Sequence, residues 1–273
     1  MNTMNKIYLD LCKKLINAPV VGNTKELNNY KFILDNPHNS IITLNAKKLS
    51  KKYLLAELLW YINERNDVHF IGQFASLWNN ISDDGVTSNS AYGYILGRKY
   101  GFSQIQQIIE LLKKDPNTRR AVLNISDPSI NRIETKDMQC TVCLQFLLRD
   151  NKLHCTTYMR SNDIWFGLPY DVVYFTFLQK YIACQLQVGL GTYTHFVGSI
   201  HMYLRDEENV KKILENTDET YFEINYDKLM KNKDLVNIVN KDNILELCRE
   251  RGIIKWKSVF TQWLQMWFML DTF

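Results

Sequence analysis

No run in this 273-residue chain approaches the length of about 18 apolar residues that suggests a membrane-spanning helix, and the late WLQMWFML is far too short. The opening MNTMNKIYLDLCKKLI carries charges at 6, 10, 13 and 14 and lacks both the apolar core and the small-residue cleavage site of a signal peptide. It reads as a short amphipathic helix, and the chain as cytoplasmic. Proline and glycine are scarce, at 5 and 11, and nowhere gather into a linker; there is no internal repeat or low-complexity tail. One domain over 1–273 is therefore expected. A net charge of +4 is too mild for an obligate nucleic-acid binder but permits small anionic substrates. The cysteines at 12, 140, 143, 155, 184 and 248 follow no disulfide framework and should be free thiols. Cys140 and Cys143 form a CxxC with no second pair and no redox-type helix after it, so no metal site is expected. At three apart on a strand, the two sulfurs should point to opposite faces.

What remains is an ordinary globular composition, 46% hydrophobic and 23% charged. Residues 51–65 read as a buried helix, 103–114 as a surface helix and 119–126 as a strand. The sharpest local signal is CTVCLQFLLR, Asp150-Asn151, KLHCTTYMR: two β-rich runs around a polar two-residue turn, hence a hairpin. Without a bulge, its register sets Cys140 opposite Ser161 and diagonal to Arg160. A helix from about 170 to 187 should end at Gly189 and Gly191, and 193–204 should be another strand. Strands and helices interleave without a βαβ rhythm, which points to an α+β protein with a large, mostly buried sheet.

Three residues on this frame could do chemistry. A strand cysteine is most commonly a small packed hydrophobe, but an adjacent guanidinium would raise the thiolate fraction of Cys140. Asp171, just after Pro169, suits ordinary helix N-terminal chemistry, and on position alone that is the stronger reading. Glu57 has Tyr53, Leu54, Trp60 and Tyr61 as its helical neighbours. A carboxylate on such an apolar or aromatic face is either paired or functional. Arg119 and Arg120 could be a solvated pair opening a strand, and His201 and Tyr203 could be satisfied core residues.

Read in order, these segments form a pattern: ELLWYI with Glu57; Trp78 fourteen residues before Tyr92-Gly93; DPNTRR; Cys140 five residues before Gln145-Phe146; MRSND; GLPYD; and GSIHMY. Over most of residues 50–204 the chain resembles the thymidylate synthase family. The resemblance implies a large mixed β-sheet covered by helices, with one sheet face packed in a homodimer. It implies 5,10-methylenetetrahydrofolate as co-substrate and a pyrimidine nucleoside monophosphate as substrate. By position, Cys140 would be the nucleophile that adds to C6 of the pyrimidine. Arg160 and Ser161 would hold the phosphate with Arg119 and Arg120 of the other subunit. His201 and Tyr203 would meet the sugar hydroxyl and Gln145 would serve the substrate. Trp78, Asp163 and Gly167 would line the folate. Tyr92 would assist near the nucleophile, and Glu57 would order water and move protons.

The departures from the family pattern are informative. Deoxyuridylate methylases place Asn where this chain has Asp171. An amide carries one donor and one acceptor, whereas an ionised carboxylate only accepts. It suits the N4 amino group of cytosine and opposes O4 of uracil, so Asp171 points to a cytidylate. Thr141 stands where methylases usually carry His, and MRSND looks like the deoxycytidylate hydroxymethylases of phages. The ending FMLDTF shows no apolar tail to close over the folate. Near the N-terminus, where the family commonly places an Arg before Thr-Gly-Thr-Gly, this chain has VVGNTKEL, in which Lys25 could substitute. The expected activity is dCMP 5-hydroxymethylation. Methylation of dUMP or dCMP, hydroxymethylation of CMP, and a catalytically silent nucleotide- or RNA-binding member remain as alternatives. An intact Cys140, Arg160 and Glu57 argue against the last.

Overall fold

The computed structural model describes residues 3–131 and 134–219. Met1–Thr220 gather into one compact unit. The expectation of a single domain over 1–273, Cys248 and the ending FMLDTF reach into 220–273 and lie outside the described residues.

Helix α1 (Met4–Ile16) buries Met4, Ile7, Tyr8, Leu11, Cys12 and Leu15, the three-and-four spacing of one helical face, and Thr3 caps it by accepting from Lys6 N. Two strands follow, β1 (Val20–Val21) and β2 (Thr24–Leu34), joined through Gly22 at φ +59°. Helices α2 (Lys51–Ile62), α3 (Val68–Ile71), α4 (Leu77–Ile81), α5 (Tyr92–Gly97) and α6 (Gln104–Lys114) precede β3 (Val122–Asn124). The hairpin β4 (Thr141–Arg149) and β5 (Lys152–Asp163), then α7 (Leu168–Leu186), β6 (Gly189–Tyr203) and α8 (Glu207–Glu215), complete the described chain. No helix among the described residues is long and apolar enough to cross a membrane.

The sheet is open and mixed, in the order β1-β2-β6-β5-β4-β3. Only β5 and β6 pair in parallel, and α7 is the crossover between them. That helix is buried nearly all round, including Val172, Tyr174, Phe175, Leu178 and Ile182. Each such side chain contributes about 1.5–3 kcal/mol on leaving water. It ends where expected, at Leu186. Gln187 takes the left-handed cap at φ 57°, and Gly189 and Gly191 already belong to β6. The strand expected over 119–126 pairs only from Val122, which leaves Arg119 and Arg120 ahead of the ladder.

The hairpin forms as its turn residues dictate, with Asp150 and Asn151 both left-handed at φ 50° and 56°. Its register holds from Arg149–Lys152 to Cys143–Tyr158 and then shifts between Thr141 and Cys143, where a bulge inserts an extra residue. Thr141 therefore pairs with Met159, and Arg160 N donates to Cys140 O at 2.8 Å. Cys140 stands level with Arg160, not Ser161. With an extra residue between them, a spacing of three no longer assigns Cys140 and Cys143 to opposite faces.

Candidate active site

Arg160 wraps back over the segment that leads into β4. Its Nε donates to Gln139 O and its Nη2 to Met138 O, both at 2.9 Å, and Nη2 lies 3.7 Å from Cys140 Sγ. The guanidinium is thus fixed against the thiol by two backbone carbonyls. Burial pushes the Cys140 thiol above its ordinary value while Arg160 pulls it down. Burial wins, contrary to the expectation of a raised thiolate fraction in the protein alone. Cys143 is raised by burial and has no such cation. The five described cysteines are free thiols.

Asp171 shares this neighbourhood, since its charge is felt by Cys140, Glu57 and Tyr92. One oxygen, Oδ2, accepts from Asn162 Nδ2 at 2.7 Å. The Asn162 amide oxygen lies 3.1 Å from His195 Nε2, and His195 Nδ1 lies 2.7 Å from the Tyr193 hydroxyl. Burial pushes the Asp171 carboxyl up to about 7, opposed by the Asn162 N–H and reinforced by Asp163. Gly167 makes room for the pair: a Cβ there would come within 2.7 Å of Asn162 Nδ2 and 3.3 Å of Asp171 Oδ2. The role visible for Gly167 is this close approach.

Glu57 projects from α2 as its aromatic neighbours suggest, and it is paired. The Tyr53 hydroxyl donates to Glu57 Oε1 at 2.6 Å and accepts from Trp78 Nε1 at 3.0 Å. Only 7% of Glu57 is exposed, and burial pushes its carboxyl up to about 8 against the pull of Tyr53. Trp78 leans on Trp60, and its indole N–H is already committed to Tyr53. Tyr92 stacks on Tyr61 and reaches Thr141, next to Cys140.

Further out, both Asp163 oxygens accept from the backbone of its own turn, at Trp165 N and Phe166 N. Asp163 pairs in register with His201, whose ring meets Tyr203 edge-on. Ser161 pairs with Ser199, whose hydroxyl donates to Glu26. The Gln145 amide donates to Arg119 O. Arg119 and Arg120 are exposed and sit toward the far end of β4. At about 3.4 Å per residue, that is roughly 20 Å from their own Cys140. Lys25 is spent on Ile16 O at 2.7 Å and Glu207 at 3.1 Å, which removes it as a free phosphate ligand.

Two residues escaped the sequence reading. Helical spacing sets Tyr53 at i−4 to Glu57 as one wall of an aromatic face, and nothing in that spacing marks its hydroxyl as a donor to the carboxylate. Asn162 lay inside MRSND, yet nothing in sequence spacing joins it to His195.

Fold and site together define an α+β protein with an open mixed sheet, a cysteine held against an arginine, and two buried carboxyls beside it. The chain belongs to the thymidylate synthase family, whose family model matches residues 6–257. It is 29% identical over 231 residues to a deoxyuridylate hydroxymethyltransferase of Bacillus phage SP01, covering 76% of this chain and 60% of the relative. A protein of the same name from Delftia phage PhiW-14 is 32% identical over 209 residues, covering 71% and 57%. Another, from Pseudomonas phage M6, is 33% identical over 163 residues, covering 58% and 45%. The chain spans about half the length of these curated relatives.

Proposed function

We propose that this chain is a folate-dependent hydroxymethyltransferase acting at C5 of dCMP. The observation that carries the reading is Asp171, a carboxyl close to Cys140 and Glu57 with one oxygen held by Asn162 and, among the described residues, no hydrogen bond to the other. As an ionised acceptor it matches the amino edge of cytosine and mismatches O4 of uracil.

In this reading Cys140 attacks as the thiolate. An S–C6 bond forms, and the C5–C6 π pair moves to C5. Arg160, 3.7 Å from the sulfur, favours the charged nucleophile that burial alone disfavours. The folate co-substrate supplies the one-carbon unit, and Asp163 and the exposed Phe166 offer a carboxylate and a flat apolar face that suit a pterin. C5 bonds to the carbon of that unit, and loss of the C5 proton expels tetrahydrofolate and leaves an exocyclic methylene. Glu57 then takes a proton from the water whose oxygen bonds to this methylene, the π pair returns to C5–C6, and the S–C6 bond breaks to release Cys140 as the thiolate. A carboxyl poised at about 8 suits a base that must also give its proton back.

A second copy of the chain completes the site in this proposal. Arg119 and Arg120 stand too far from their own cysteine to serve it, and the open sheet leaves Tyr158 and Val142 exposed. Mixing a Cys140→Ser chain with an Arg119→Ala/Arg120→Ala chain should restore turnover that neither has alone; no restoration would remove the shared site.

Mass spectrometry of products from dCMP, CMP and dUMP, each with methylenetetrahydrofolate, tests the activity. The expected product is 5-hydroxymethyl-dCMP with tetrahydrofolate. Hydroxymethyl-dUMP would instead favour the second reading, which the names of the three phage relatives support. A methylated product with dihydrofolate would overturn hydroxymethylation.

A further inference from the structure

We infer that Asn162 is a specificity-determining positioning residue: clamped by His195 and Tyr193, it presents an N–H to Asp171 and keeps that carboxylate an acceptor, which favours a pyrimidine with an amino group at C4. The inference deepens the dCMP reading and rests on it for the identity of the base.

The clamp is rigid and its polarity is constrained. His195 is fully buried and stacked on Phe32, with ring centroids 5.0 Å apart and planes 19° from parallel. Burial pushes its imidazole down to about 3, so at neutral pH it carries a single N–H. With the Tyr193 hydroxyl donating to Nδ1, that N–H sits on Nε2 and points at the Asn162 carbonyl oxygen. The amide NH2 group is then left facing Asp171 Oδ2 at 2.7 Å. Reversing the chain would turn the amide carbonyl toward Asp171, and two acceptors can share that distance only if Asp171 carries a proton. Amide orientation and carboxyl charge are therefore one variable.

The other groups around Asp171 oppose its charge. Glu57 on α2, Asp163 on β5 and the Cys140 thiol ahead of β4 would each repel a neighbouring anion when ionised. Tyr61, Tyr92 and Tyr193 are held neutral by burial. Among the described groups, the Asn162 N–H is the one that stabilises the ionised form. Without it, Asp171 more often keeps its proton. A neutral carboxylic acid shows one donor and one acceptor, as an amide does, and can serve either base, so the discrimination against uracil is lost.

The test is kcat/KM for dCMP and dUMP in the full chain and in Asn162→Ala and Asn162→Asp. The second variant is isosteric, so volume and packing are preserved, and it sets a carboxyl beside Asp171 that must share a proton with it. Thermal melts establish that each variant folds. Both should move the ratio toward dUMP by about tenfold or more, the size of one lost buried donor. In protein without folate, the protonated-acid infrared band assigned through Asp171→Asn should grow in Asn162→Ala. Gly167→Ala, which drives a methyl into the same pair, should shift the ratio in the same direction. An unchanged ratio in both Asn162 variants overturns the inference, whatever the infrared band does. If the wild type prefers dUMP from the outset, the dCMP reading fails instead, and the infrared band still decides whether Asn162 sets the charge of Asp171.

Discussion

Replacing Tyr53 with Phe removes one oxygen from the protein and should move the pH profile of turnover. The Tyr53 hydroxyl donates to Glu57 Oε1 at 2.6 Å in a site where only 7% of the glutamate is exposed. A hydrogen bond to a buried charge stabilises it by about 1.5–3 kcal/mol. At 1.36 kcal/mol per pKa unit, its loss raises the Glu57 carboxyl by about one to two units above its value of about 8. If ionised Glu57 takes the proton of the incoming water, the acid limb of kcat moves up by the same amount. At pH 7 the ionised fraction then falls from about a tenth to about a hundredth or less, and kcat falls about tenfold or more. Product formation followed from pH 6 to 10 should show the variant recovering toward the wild-type rate at the alkaline end. Trp78→Phe leaves the Tyr53–Glu57 contact in place and should move the limb far less. A uniform loss of rate at every pH, with the acid limb unmoved, would refute the reasoning and reduce Tyr53 to packing.

Three further outcomes are expected. Cys140→Ser should abolish turnover while nucleotide binding by calorimetry persists, and Cys143→Ser should cost far less because only Cys140 has Arg160 against its sulfur. Asp171→Asn should lower kcat/KM for dCMP and admit dUMP, shifting their ratio by about tenfold or more; an unchanged ratio returns Asp171 to a helix-start role. Glu57→Gln should slow turnover by about a hundredfold and raise Tm more at pH 9 than at pH 5. The carboxyl is raised from 4.5 to about 8, so the stability it contributes is present below its unfolded value and lost as pH rises through its folded one. A Tm difference independent of pH would contradict a buried ionising Glu57.

The legible parts of the sequence were those set by local chemistry. Asp150-Asn151 announced a turn because both residues accept left-handed backbone, and apolar spacing announced a helix over 103–114, which the structure forms as α6 behind a Ser103 cap. The hairpin register singles out Cys140 with Arg160, the aromatic helical neighbours single out Glu57, and family spacing joins them with Asp171 into one expected site. What the sequence hid was set by tertiary geometry. A bulge costs one residue and leaves no compositional mark, so Cys140 was placed opposite the wrong partner. Asn162 acquires its role only because the parallel pairing of β5 with β6 brings His195 within reach. The commitments of Lys25 and Gln145 were equally invisible, since their partners Glu207 and Arg119 come from distant segments.

The bulge between Thr141 and Cys143 separates two properties that a strand normally carries together. Downstream of it, the ladder from Cys143 to Arg149 is fixed by the turn and keeps every pair whatever Val142 does. Upstream, drawing Val142 into the ladder opposite Met159 would slide Cys140 one step, from Arg160 to Ser161, and pull the sulfur away from its guanidinium. The architecture is thus encoded on one side of a single unpaired residue, and the setting of the thiol on the other. A chain that closed this bulge could keep its sheet and every motif by which it is recognised, and still lose the contact between sulfur and arginine.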